Sequence, residues 1–238
     1  MHTVFTKILS PEQIEELSVA QINEVLRNAL QYDEYQYQKD NGIRITESYR
    51  AEGLHKVLYQ CPHCGTEFKM ESAGAHLHCS ACGKRWLWRE DGYLEAENGE
   101  TEFNHIPDWF HWQRQQVSQQ IDRGEYAFSE EVEVFSLPRV WRYIPLGKAR
   151  LTHDPKEGFL LEGTYRGEVY RIHRQPAQTN SLHVEYDFGP LKNKDYIDIS
   201  TENDSFYCHI TTPGMITKLG FATEELYLRS QNRTLALK

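Results

Sequence analysis

The sequence predicts an α+β chain of several parts, and three observations carry that prediction. Apolar residues near the N-terminus recur at helical spacing: Ile14 and Leu17, then Ile22, Val25, Leu26 and Leu30. Four cysteines follow as two C-x-x-C pairs, Cys61 with Cys64 and Cys79 with Cys82, separated by residues 65–78. From about residue 130 the pattern changes to period two, and about seven short strand-like runs precede a last helical stretch.

Residues 1–53 read as a helical segment. Ser10-Pro11-Glu12 supplies an N-cap, a proline at the first helical position and an acid in the first turn. Ser18 and Gln21 have the spacing of a second capping box, so the stretch is either one bent helix or two short ones. Tyr32, Tyr35 and Tyr37 read as a packing face, and Asn41-Gly42 ends the run. Met1 to Lys7 lacks a basic stretch followed by an apolar one, so no signal peptide is expected.

Residues 54–100 hold the cysteines. A two-residue spacer lets both thiolates of a pair reach one ion. Gly65 and Gly83 permit the tight turn beneath each pair, where backbone N–H groups can point at sulfur. Two such turns brought together by a hairpin make a closed tetrahedral site, and structural Zn2+ on Cys61, Cys64, Cys79 and Cys82 is the expected occupant of this zinc ribbon. Iron uses the same four ligands. His63, His76 and His78 lie nearby and read as surface or supporting groups. Lys56–Tyr59 is expected to enter the first turn as a strand. Glu67–Met70 and Ala75–His78 are expected to form a hairpin around Gly74, and Arg85–Arg89 to leave the second turn as a strand.

Residues 101–127 read as a linker helix opened by Pro107-Asp108-Trp109 and stopped at Gly124. Its aromatic residues Trp109, Phe110 and Trp112 suit a helix pinned between two neighbours better than an exposed anchor.

Residues 128–238 carry the strand runs Val132–Phe135, Ala149–Leu151, Phe159–Leu161, Val169–Ile172, Leu182–Tyr186, Tyr196–Ile199 and Phe206–Ile210. Met215 to about Ser230 then has a helical pattern. Seven antiparallel strands followed by one helix resemble the pleckstrin-homology-like superfold, which includes GRAM domains; this is a likeness of fold and assigns no activity. Cys208 alternates with Phe206 and Ile210, as a buried inert thiol would. His153-Asp154 and His183 with Glu185 and Asp187 have acid–base chemistry, but no nucleophile stands at a fixed spacing from them.

Composition sets the outer limits. A hydrophobic fraction of 39% with 12% aromatic residues suits folded cores. A net charge of −9 disfavours a general grip on nucleic acid. The strip Lys84, Arg85, Trp86, Trp88 and Arg89 could stack bases, but residues 61–100 hold four basic and seven acidic residues, a local balance of −3. Four paired cysteines suit metal binding in a reducing cytoplasm better than a disulfide framework.

Several runs together resemble a known family. They are Ser10–Ser18, Gly42–Glu47, Val57–Gly65, Glu100–Trp109 and Gly147–Asp154. They are similar to the long C-terminal extension of 1-acyl-sn-glycerol-3-phosphate acyltransferase-like proteins of Gram-positive bacteria. That family's catalytic signature is a His with an Asp five positions on. None of the eleven histidines here has it; Phe110 follows His105 and Phe188 follows His183 at that distance. The resemblance therefore implies no catalytic residue in this chain. It implies a non-catalytic accessory module tied to phospholipid synthesis. Its partners would be a protein, a covalently linked acyltransferase domain or a lipid surface, with nucleic acid disfavoured.

Overall fold

The computed structural model describes residues 6–140 and 142–236; Met1 to Phe5, most of the segment read for a leader, lie outside them. The described chain divides into two compact units, one up to Arg44 and one from Ile45 onward.

The first unit holds three short helices, α1 (Pro11–Glu16), α2 (Val19–Ala29) and α3 (Glu34–Asp40). The two-helix alternative is the one realised at the N-terminus, because each segment carries its own capping box. Ser10 with Gln13 closes the first, and Ser18 with Gln21 closes the second. Asp33 caps α3 by accepting from the N–H groups of Tyr35 and Gln36. The rings of Tyr32 and Tyr37 meet at 5.8 Å.

The second unit begins with a one-turn helix, α4 (Leu54–Val57), where a strand was expected. Leu58 N–H donates to Leu54 O, and the adjacent residues Leu58 and Tyr59 are both buried, which a half-exposed strand cannot achieve. Beyond it lies a four-stranded antiparallel sheet in sequence order: β1 (Met70–Ala73), β2 (His76–Cys79), β3 (Arg85–Trp88) and β4 (Leu94–Ala96). The expected hairpin is present, but its first strand starts at Met70. Phe68 has φ 58°, which breaks the extended run from Glu67.

Helix α5 (Ile106–Asp122) buries Ile106, Trp109, Gln113, Val117 and Ile121, one stripe of its surface. The second sheet has seven strands: β5 (Phe128–Ser136), β6 (Ile144–Asp154), β7 (Gly158–Tyr165), β8 (Glu168–Arg174), β9 (His183–Phe188), β10 (Lys194–Ser200) and β11 (Ser205–His209). Their order is β8-β7-β6-β5-β11-β10-β9, so the first strand pairs with the last at the centre. All pairs are antiparallel. All seven expected runs correspond to these strands.

Helix α6 (Met215–Ala236) joins the parts of this unit. Ile216 and Leu219 enter the core of the seven-stranded sheet beside Val134, Leu151 and Ile197. One turn on, Phe221, Ala222 and Leu226 pack with Tyr59, Val117, Ile121 and Tyr126. Arg114 of α5 is paired with Glu224 and Glu225 of α6. No helix among the described residues is long and apolar enough to cross a membrane.

Candidate metal centre

The two cysteine turns have the same backbone. In the first, Gly65 N–H donates to Cys61 O at 2.9 Å and Cys61 N–H to Thr66 O at 3.0 Å. In the second, Gly83 N–H donates to Cys79 O at 2.8 Å and Cys79 N–H to Lys84 O at 2.9 Å. Gly65 and Gly83 have φ of 75° and 76°, a conformation that a side chain would strain. The turn aims the N–H groups of His63 and Cys64 at the Cys61 sulfur, and those of Ala81 and Cys82 at the Cys79 sulfur.

The pairing of β1 with β2 carries the second turn back to the first. All four sulfurs lie within 4.8 Å of one another. Cys61 Sγ is 3.8 Å from Cys82 Sγ, and Cys64 Sγ is 3.8 Å from Cys79 Sγ. A tetrahedron with metal–sulfur bonds of about 2.3 Å has edges of about 3.8 Å. The four cysteines are therefore positioned to hold one metal ion. Burial pushes the Cys61 and Cys79 thiols up. Burial acts the same way on Cys64, but hydrogen bonds from the Thr66 hydroxyl and N–H outweigh it and bring that thiol to about 6. Thr66 Oγ1 lies 3.3 Å from this sulfur.

The neighbouring histidines face carboxylates. His63 Nδ1 is 3.0 Å from Glu102, His76 Nε2 is 3.0 Å from Glu97, and His78 Nε2 is 3.3 Å from Glu71. Glu102 also lies 3.4 Å from the buried ammonium of Lys84. Burial would raise the Glu102 pKa, yet its own N–H, His63 and Lys84 together hold it below the usual carboxylate value. Lys84 Nζ donates to Glu100 O at 2.6 Å and sits 5.9 Å over the Trp86 ring. Trp86 is fully buried, Arg85 is paired with Glu97, and Arg89 with Asp91 and Glu95.

Helix α5 fastens the ribbon with polar groups that periodicity alone does not reveal. Gln113, fully buried, accepts from Gln60 N–H at 2.9 Å and donates to Val57 O at 3.0 Å. Trp109 Nε1 donates to Gln60 O at 2.9 Å, and its ring meets Trp86 at 5.0 Å. Of the expected aromatic trio, Trp109 packs against the ribbon, Phe110 meets Phe221 of α6 at 4.6 Å, and Trp112 packs near Phe103 at 5.9 Å. Gln113 could have been found only as a glutamine on the apolar stripe of α5, a position where a polar side chain must have partners.

The candidate acid–base groups do not converge. His153 is buried, with Nδ1 2.7 Å from the Tyr126 hydroxyl and its ring stacked on Phe159 at 3.9 Å. Burial depresses its pKa to about 3. Asp154 instead accepts from the N–H groups of Lys156 and Glu157. His183 pairs with Glu185 at 2.9 Å, while Asp187 pairs with Lys56 at 2.8 Å. Cys208 is fully buried, and burial pushes its thiol up. No protein-family model and no curated protein matches this chain.

Proposed function

We propose that the chain is a non-catalytic zinc-ribbon accessory module of a phospholipid-synthesis acyltransferase-like protein. In this reading Zn2+ on Cys61, Cys64, Cys79 and Cys82 is a structural staple, and the β-rich part associates with a protein or lipid partner at the cytoplasmic face of a membrane. The observation that carries the non-catalytic half is the closure of the sulfur set. Four thiolates within 4.8 Å fill a tetrahedral ion and leave no position for a water or substrate. The tie to phospholipid synthesis rests on the resemblance of the five sequence runs. The strand order with β5 beside β11, and α6 entering the core with Ile216 and Leu219, supports the pleckstrin-homology-like reading of the β-rich part. The ion-paired state of Arg85 and Arg89 supports a partner other than nucleic acid.

Elemental analysis of the purified chain tests the staple, with one zinc per chain expected; a protein without stoichiometric metal overturns it. An acyl-transfer assay from acyl-CoA or acyl carrier protein to lysophosphatidic acid tests the rest. No turnover is expected, and turnover by these 238 residues would overturn the non-catalytic reading.

A further inference from the structure

The β-rich part has a cavity of about 750 Å3 at the end of the sheet where the β5–β6 connection and the β7–β8 turn meet. That volume is typical of a small-molecule site. One wall is apolar, formed by Ile144, Pro145, Leu146 and Val169. Val169, on the edge strand β8, is 81% exposed and Pro145 is also exposed, while Ile144 and Leu146 are half-buried, so part of this wall faces solvent.

Two arginines stand on the same cavity. Arg142 comes from the β5–β6 connection and makes no ion pair or hydrogen bond among the described residues. Arg166 comes from the β7–β8 turn, and its guanidinium lies 5.2 Å over the Tyr165 ring, with no carboxylate partner among the described residues. The backbone at Arg166 is unusual. Arg166 and Gly167 form a two-residue hairpin turn with φ of 52° and 86°. Such a turn prefers asparagine, aspartate or glycine at its first position, and an arginine there is strained.

Two acids also line the cavity. The Asp204 carboxylate is already engaged, accepting from Ser136 Oγ at 2.6 Å, Leu137 N–H at 3.0 Å and Ser205 N–H at 2.8 Å. Glu168 is exposed at the edge, one charge against two guanidiniums. Tyr170, also on the lining, has a buried hydroxyl with no hydrogen-bond partner among the described residues.

We propose that this cavity binds an anionic amphiphile, with Arg142 and Arg166 clasping a phosphate or carboxylate head and the Ile144–Leu146 and Val169 wall covering its apolar chain. Guanidiniums pair with both heads in two-pronged fashion, and an unpaired pair of them beside apolar surface selects a molecule with both features. The proposal deepens the accessory reading by giving the β-rich part a ligand class, but it rests on this cavity and not on the metal.

The test is calorimetric titration of the zinc-containing chain with dodecyl phosphate below its micelle concentration. Saturable binding is expected. Inorganic phosphate (head alone) and dodecyl maltoside (chain with a neutral head) should each bind at least about tenfold more weakly. Arg142→Ala and Arg166→Ala should each weaken binding about tenfold or more, with an unchanged melting temperature because both side chains are exposed. Tyr170→Phe is a second probe, expected to weaken binding while the melting temperature holds or rises. Co-sedimentation with phosphatidylcholine vesicles, with and without phosphatidic acid, separates the sources of the head group. Arginine-dependent capture only by anionic vesicles assigns a membrane lipid, and binding of dodecyl phosphate without such capture assigns a soluble amphiphile. Absence of binding to the folded protein, equal binding of dodecyl maltoside, or arginine variants that bind like the parent would overturn the proposal. Metal content measured on the same sample keeps the outcomes separate, because a filled zinc site with an idle cavity sinks only this inference.

Discussion

The four strands of the ribbon are three or four residues long, whereas those of the β-rich sheet run from five to eleven. Backbone pairing is antiparallel in both. What holds them differs. The β-rich sheet encloses a continuous core of 14 buried residues. The ribbon buries Met70, Leu77, Trp86 and Leu94 from its own strands, too little apolar surface to order a segment of this length. On the proposed reading, a metal on the four cysteines meets this shortfall, beside the packing of Trp109 and the hydrogen bonds of Gln113. Similar backbone patterns would then rest on burial in one region and on coordination in the next.

The strongest way to break this comparison is to remove the metal. Binding of structural zinc is worth roughly 10–16 kcal/mol in small zinc-binding peptides, and it is folding energy there. Cys61→Ser, or a chelator, should expose residues 58–90 to rapid hydrogen exchange while amides of β5–β7 and β10–β11 stay protected. Simultaneous loss of protection in both sheets would show one cooperative body and erase the distinction.

A smaller effect sharpens the seam. Trp109→Ala removes the Trp86 contact and the bond to Gln60 O, with an expected cost of about 3–5 kcal/mol. Denaturant unfolding should show the ribbon melting earlier at unchanged zinc stoichiometry. A variant as stable as the parent would mean that α5 contributes nothing to the ribbon.

A pH-dependent effect concerns the β-rich sheet alone. The folded His153 binds a proton only near pH 3, whereas the unfolded chain does so near its ordinary value of 6.5. Its contribution to stability is complete above 6.5 and is lost as pH falls towards 3, at up to about 1.4 kcal/mol per pH unit. The parent should lose stability across that window faster than His153→Gln. Equal slopes would remove burial of the neutral ring as the cause.

Much of this was legible in the chain. Ser10 and the Ser18–Gln21 spacing marked caps because capping is a local exchange of hydrogen bonds, while the choice between one bent helix and two short ones stayed open. The cysteine spacing announced the site because two residues and a glycine suffice to build each turn. The apolar pattern of Lys56–Tyr59 suggests a strand, but Tyr59 packs with Val117 and Ile121 of α5 and with Phe221 and Ala222 of α6, and such tertiary burial overrides a short period-two pattern. The partners of Gln113, Lys84 and Glu102 are distant in sequence, so no local pattern pairs them.

By itself, then, the sequence determined what short-range chemistry controls: capped helices, two metal turns, strand runs and the residues that can bind an ion. Tertiary structure decided which of these meet. It placed β5 beside β11, turned His153 inward away from Asp154, and set two arginines from separate connections on one cavity. Those outcomes depend on chain closure and packing between residues far apart, which no local pattern encodes.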